Sequence, residues 1–408
     1  MRQSFLFLCA ALCCSALRAD ELPGLPPQEP PPFRIVIEDV PDPDTQAEEI
    51  RPGEAAEESA DEPAVERGDE GEAAAPEGEE APSQEPAPNC GHALTPPKAF
   101  STEVLMLQIF LDRHNFSCGV LDGVWGQSSL DAMRAWQQAA GRKRTQWVDP
   151  QLYVALAEMP QPLIKYAITA EDLALVSGPM PPTWAERARL QLMGYETLGA
   201  CVAERFHTSE RTLRRLNPGV LNWPEDLAEG TVLVVPNVRQ AALEPIERLA
   251  VALEECALAG FDAQGRMTLR FPCSIARAKA HLPQEGRLKV INMAPAPNYT
   301  YDPRNYGQDP SLGKLVVPPG PRNPVGSRWV GLSLPGYGIH GTPKPNTVGR
   351  PESRGCFRLA NWNIEKLFEL VKPGTPLDVV RRLKDAQAPK APAPAAEATP
   401  AAEEVPHA

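Results

Sequence analysis

Gly338-Ile339-His340-Gly341-Thr342 and, sixteen residues beyond its histidine, the cysteine of Ser353-Arg354-Gly355-Cys356-Phe357-Arg358-Leu359 decide how this chain reads. A thiol of ordinary pKa is mostly protonated at neutral pH, so a nucleophilic cysteine needs a base or a positive charge beside it. His340 can supply the base. Glycine before Cys356 lets backbone approach a tetrahedral intermediate, and the N–H groups of Gly355 and Cys356 are candidates to hold its oxyanion. Arg358 keeps its charge at any relevant pH and can grip a carboxylate through two parallel hydrogen bonds. A single cysteine after glycine is more often inert and buried, and a single histidine more often a satisfied hydrogen-bonder. Here the two occur together. His92, His114, His207, His281 and His407 stand apart without ligand spacing, so the sequence calls for no metal and no cofactor.

Working outward, residues 249–254, 257–261 and 267–273 read as strands, with Asp262-Ala263-Gln264-Gly265 as a hairpin turn. Residues 289–293, 327–332, 338–340 and 377–381 add further strands, and 363–371 reads as a helix with Asn361 or Asn363 as its cap. Residues 244–383 are thus expected to be a mainly β, sandwich-like domain with one helix. A proline-rich excursion over 295–324 lies between core strands and is expected to fold over the site as a lid.

The joint pattern is similar to the YkuD-type L,D-transpeptidase catalytic domain, whose hallmark is a His-Gly element followed by Ser-x-Gly-Cys-hydrophobe-Arg. The segments Pro319-Gly320-Pro321-Arg322-Asn323-Pro324-Val325-Gly326 and Leu332-Ser333-Leu334-Pro335-Gly336-Tyr337 resemble that family too, as does the Pro373-Gly374-Thr375-Pro376 turn. The resemblance implies that Cys356 is the nucleophile, His340 its base and Gly341 the carbonyl orienting the imidazole. Ser353, Gly355 and Arg358 match the remaining motif positions, and Ser353, Arg358, Thr342 and Tyr337 are expected to meet substrate. Arg354 departs from the pattern, since many members carry a second histidine there. The implied reaction is two-step acyl transfer on peptidoglycan stem peptides. Its acceptor is left open: a stem amine, a protein lysine, or water. A non-catalytic wall anchor is the rival of a different class.

Composition sets the context. Residues 1–19 carry Arg2, an apolar run from Phe5 to Leu17 and then Ala19, and resemble a secretory signal, too short to span a bilayer comfortably. Residues 20–98 hold 22 acidic and 4 basic side chains, so the acidic overall charge of −13 belongs to a linker and the remainder is mildly basic. That linker and the tail from 384 to 408 read as disordered Pro, Ala and Glu repeats. Residues 99–158 read as three short helices around the glycine-punctuated loop 118–126, similar to a peptidoglycan-binding domain that either reads wall polymer or acts as a spacer. After a linker at 159–190, residues 191–237 resemble a βααβ lysin-motif module without a clear opening strand, either a glycan reader or a packing unit. The expected partners are peptidoglycan stems and glycan strands, with no nucleic acid and no stable membrane insertion. The chain is expected to be an exported monomer of the periplasm or cell wall.

Cys9, Cys13 and Cys14 fall in the signal segment. Among the rest, Cys90 with Cys118 and Cys256 with Cys273 are plausible disulfides in an exported protein, the latter alternatively a redox pair, while Cys201 reads as a small buried hydrophobe.

Overall fold

The computed structural model describes residues 99–306, 311, 313–353 and 355–386. The expected signal segment, the acidic linker, tail residues 387–408, Cys90 and Arg354 lie outside the described residues. Three helices open the described chain: α1 (Thr102–Arg113), α2 (Gln127–Ala139) and α3 (Pro150–Ala157). Ser101 caps α1 by accepting from the Val104 N–H (3.3 Å), and Asp149 caps α3 by accepting from Leu152, with Pro150 in the first turn. Between α1 and α2 the loop is pinned by one buried side chain. The Gln108 amide oxygen accepts from the N–H groups of Asp122 and Gly123 (3.0 and 2.9 Å), and its Nε2 donates to Asp122 Oδ1 (3.0 Å).

A second unit contains β1 (Leu163–Ala167), α4 (Ala170–Ala174), α5 (Trp184–Arg187), α6 (Leu198–Arg205), α7 (Glu210–Leu216) and β2 (Val232–Pro236). β1 pairs antiparallel with β2 along its whole length, from Leu163 opposite Pro236 to Ala167 opposite Val232. β1 lies inside the stretch read as linker and supplies the strand with which β2 pairs. Its partner is far away in sequence, and local pattern does not reveal non-local pairing.

The remaining strands are β3 (Arg248–Ala252), β4 (Ala257–Phe261), β5 (Met267–Pro272), β6 (Ile275–Ala276), β7 (Gly286–Ala294), β8 (Tyr299–Tyr301), β9 (Leu315–Val317), β10 (Trp329–Leu332), β11 (Gly338–His340), β12 (Pro351–Ser353), β13 (Phe357–Arg358) and β14 (Pro376–Val380), with α8 (Asn361–Leu370) before the last. Eight of them form one mixed sheet in the order β13-β11-β10-β7-β14-β3-β4-β5, parallel only at β11/β13 and β14/β3. The sheet curls. Ser274, just past edge strand β5, exchanges backbone hydrogen bonds with Arg358 of the opposite edge (2.8 and 2.9 Å).

The expected sandwich is thus a single curled sheet, and side-chain alternation explains how both its faces are covered. Leu249, Val251, Leu258 and Leu269 point inward with Ile364 and Leu367 of α8 into one core. Ala250, Ala252, Ala257 and Ala259 point outward, where Phe110, Met133 and Trp136 of the first helices pack on them. Alanine on that face lets helices approach the sheet closely. Shortening an inward leucine such as Leu249 to alanine is expected to cost about 2–5 kcal/mol.

Two local expectations need correction. Neither Asn361 nor Asn363 caps α8: the cap position is Ala360 with no side-chain bond, and both asparagines face other segments. Cys256 and Cys273 are unpaired: Cys273 is buried in the inner core and Cys256 sits in a left-handed turn (φ 44°), with the Cys273 N–H donating to Cys256 O at 2.7 Å. Among the described residues Cys118 and Cys201 are likewise unpaired and buried. Among the described residues no helix is long and apolar enough to cross a membrane.

Candidate active site

β11 lies between β10 and β13, with His340 opposite Trp329 on one side and Arg358 on the other. Alternation turns Ile339 and Phe357 into the core, both fully buried. Gly338, His340, Cys356 and Arg358 accordingly share the other face. Only glycine fits at 338, because a Cβ there would stand 2.4 Å from the Trp329 ring. That ring stacks on the His340 imidazole at 5.7 Å and 14°.

The imidazole is oriented by its neighbour. His340 Nδ1 lies 2.7 Å from Gly341 O, and since a carbonyl only accepts, Nδ1 carries the hydrogen and Nε2 is left as a bare acceptor. Burial brings the His340 pKa down to about 4; the Gly341 bond works against this, and the Arg358 charge adds to it. Cys356 is unpaired and half-buried, and its thiol donates to Gly336 O at 3.5 Å. Burial raises its pKa above the ordinary value, partly offset by the Gly338 backbone N–H. Burial thus favours the neutral forms of both imidazole and thiol. Among the described residues no hydrogen bond joins them, and the strand register sets Cys356 two residues from the partner of His340.

Arg358 Nε and Nη2 are buried and have no hydrogen-bond partner among the described residues, and Glu352 Oε2 lies 3.7 Å from Nη2. Ser353 Oγ accepts the Gly355 N–H at 3.3 Å, so one of the two expected oxyanion donors is turned towards a side chain. Tyr337 donates to His281 O (2.8 Å), and its ring lies 3.7 Å from where a Cβ on Gly355 would be. Thr342 is buried, and its hydroxyl accepts from the Lys344 N–H at 3.3 Å.

Residues 247–379 match the YkuD family of L,D-transpeptidase catalytic domains. This segment is a YkuD catalytic domain. A Bacillus licheniformis protein named for L,D-transpeptidase YkuD is 28% identical over 184 residues, spanning 45% of this chain and 93% of that one. A Fuscovulum blasticum protein named for an L,D-transpeptidase is 33% identical over 124 residues, 30% of this chain and 64% of its own. Among solved structures, an L,D-transpeptidase from Xylanimonas cellulosilytica is 17% identical with a TM-score of 0.30, covering 72% of this chain and all of that one (100%).

In the YkuD domain the sequence pattern did not point to Trp329, Gly336 or Asn361 as neighbours of the motif residues. Asn361 is the most consequential. Its Oδ1 accepts from the Ser327 N–H (3.1 Å) and occupies the space where Cβ atoms on Gly326 and Gly341 would stand. Gly326 also needs its positive φ of 65°. An asparagine at the start of a helix reads locally as a cap, and only the chain brought across it from 326 to 341 gives it another task.

Proposed function

We propose that the chain is a cysteine-dependent L,D-transpeptidase that acylates itself on Cys356 with a peptidoglycan stem and passes the acyl group to an amine. The observation that carries this reading is the His340 Nδ1 bond to Gly341 O, which leaves Nε2 bare on the face it shares with Cys356. As the sulfur attacks the carbonyl of the third stem residue, the thiol proton passes to Nε2 and an S–C bond forms. The intermediate collapses to a thioester, and the terminal D-alanine leaves with that proton on its amine. An incoming amine then gives its proton to Nε2 and displaces the thiol. Cys356 and Gly355 N–H groups are the oxyanion donors, the latter turning away from Ser353 Oγ. Arg358, whose Nε and Nη2 have no hydrogen-bond partner among the described residues, suits a stem carboxylate.

The helical and βααβ units would keep the domain on wall polymer in the envelope. A cleft of about 980 Å³ supports this, since the 122–126 loop, α7 and residues 345–350 all line it, together with buried Arg270, whose Nη1 lacks a partner. Purified protein with a disaccharide-tetrapeptide and a free stem amine should give the 3–3 linked dimer by mass spectrometry, and Cys356→Ala none. Product equal in the alanine variant would leave a wall anchor, and tripeptide alone would leave a carboxypeptidase.

A further inference from the structure

The carboxyl of Glu204, on α6, is 8% exposed and sits where the βααβ unit meets the YkuD domain. Its Oε1 accepts twice, from Asn361 Nδ2 at 2.6 Å and from the Tyr195 hydroxyl at 3.0 Å. Asn361 is itself buried, and its Nδ2 also donates to Pro321 O at 3.0 Å. With both amide hydrogens so engaged, its Oδ1 can face only one way, towards the Ser327 N–H and the Gly326 and Gly341 backbones. Gly341 is the residue whose carbonyl holds the imidazole. The Gly341 N–H reaches Arg328 O at 3.3 Å, and the Gly341 backbone crosses Gly326 and Ser327 beside Asn361 Oδ1.

We propose that Glu204 is a positioning residue for His340, acting through Asn361 to set the Gly341 backbone, so that the βααβ unit is a working part of the active site. This rests on the assignment of His340 as the base. Burial pushes the Glu204 carboxyl up to about 7, with Asn361 and Tyr195 pulling it down, Glu365 of α8 raising it and Arg322 lowering it. A carboxyl kept at that cost and spent on two donors is consistent with a positional role.

Glu204→Gln keeps an acceptor oxygen for both donors, whereas Glu204→Leu keeps the volume and removes it; Asn361→Ala breaks the next link. The Leu and Ala variants are expected to lower kcat by about tenfold or more with KM within about twofold, as loss of base placement requires. In 15N-histidine-labelled full chain, the His340 Nδ1–H should exchange with water at least about tenfold faster in both, and Glu204→Gln should stay near wild type. Wild-type exchange and kcat in a folded Leu or Ala variant would overturn the proposal, as would a rise in KM alone. If the wild-type chain makes no product from the tetrapeptide, the functional reading fails. The Nδ1–H exchange then still decides whether Glu204 positions the ring.

Discussion

Cys356 and His340 are each held on the neutral side of their ordinary ionisation, the thiol pushed up and the imidazole down to about 4. A preformed thiolate–imidazolium pair is thus disfavoured, and under the proposed mechanism the proton would pass from Cys356 to His340 only as the bond to substrate forms. Alkylation of resting enzyme by iodoacetamide is expected to climb with pH through 9 with no plateau near neutrality, because the reactive form is thiolate. His340→Ala should leave that profile in place yet cut acyl transfer by about 10²–10⁴-fold, the range for a general base. A flat alkylation rate from pH 6 to 9 would contradict the neutral pair. For Arg358→Met, a loss of about 10- to 100-fold in kcat/KM on a stem with a free carboxylate is expected, the worth of a charge-assisted bond. Equal loss on the amidated stem would argue against carboxylate binding.

Between elements, the narrow points are backbone crossings. Gly326→Ala would put a Cβ 2.2 Å from Asn361 Oδ1 and 2.5 Å from the Gly341 backbone, at a φ that alanine resists. A destabilisation of about 1–3 kcal/mol is expected in denaturant melts, with activity falling further because the crossing adjoins His340. The β8–β9 hairpin, in the excursion expected to act as a lid, is held from outside the YkuD domain: Trp184 of α5 stacks on Tyr301 at 4.7 Å and 19°. Trp184→Ala should speed amide exchange at Thr300 and Val316 about fivefold, as loss of roughly 1 kcal/mol of ring contact implies. Unchanged exchange there would mean the hairpin stands without α5.

Across the whole molecule, two buried groups pull stability in opposite directions with pH. Glu204 titrates at about 7 in the fold against an ordinary 4.5, so the folded chain holds a proton that the unfolded chain has lost, and stability falls as pH rises between those values. His340 titrates at about 4 against 6.5, so the unfolded chain binds the extra proton and stability rises with pH over that window. Each is worth about 3 kcal/mol at 1.36 kcal/mol per pH unit, and they nearly cancel. Glu204→Gln should therefore uncover a stability that rises from pH 4 to 6.5, and His340→Asn one that falls from 4.5 to 7. Urea melts across pH check both; parallel curves for the two variants would refute the assignment.

Much of the catalytic domain was legible because its signals are local. The His-Gly and Gly-Cys elements, the strands at 249–254 and 257–261, and the helix near 363–371 are all set by short-range chemistry and spacing. Even the Leu-Ala alternation of β3 and β4 is printed in the chain, although its meaning, a leucine face inside the curl and an alanine face under α1 and α2, depends on what packs there. The sequence by itself determined the residue types at the site and the family they match. Only the folded arrangement shows that β1 pairs with β2 across a long stretch of chain, that Cys256 and Cys273 form no disulfide, and that Asn361 lies at a backbone crossing and caps no helix. Those outcomes turn on pairing and burial between segments far apart in the chain, whose energies no local window contains.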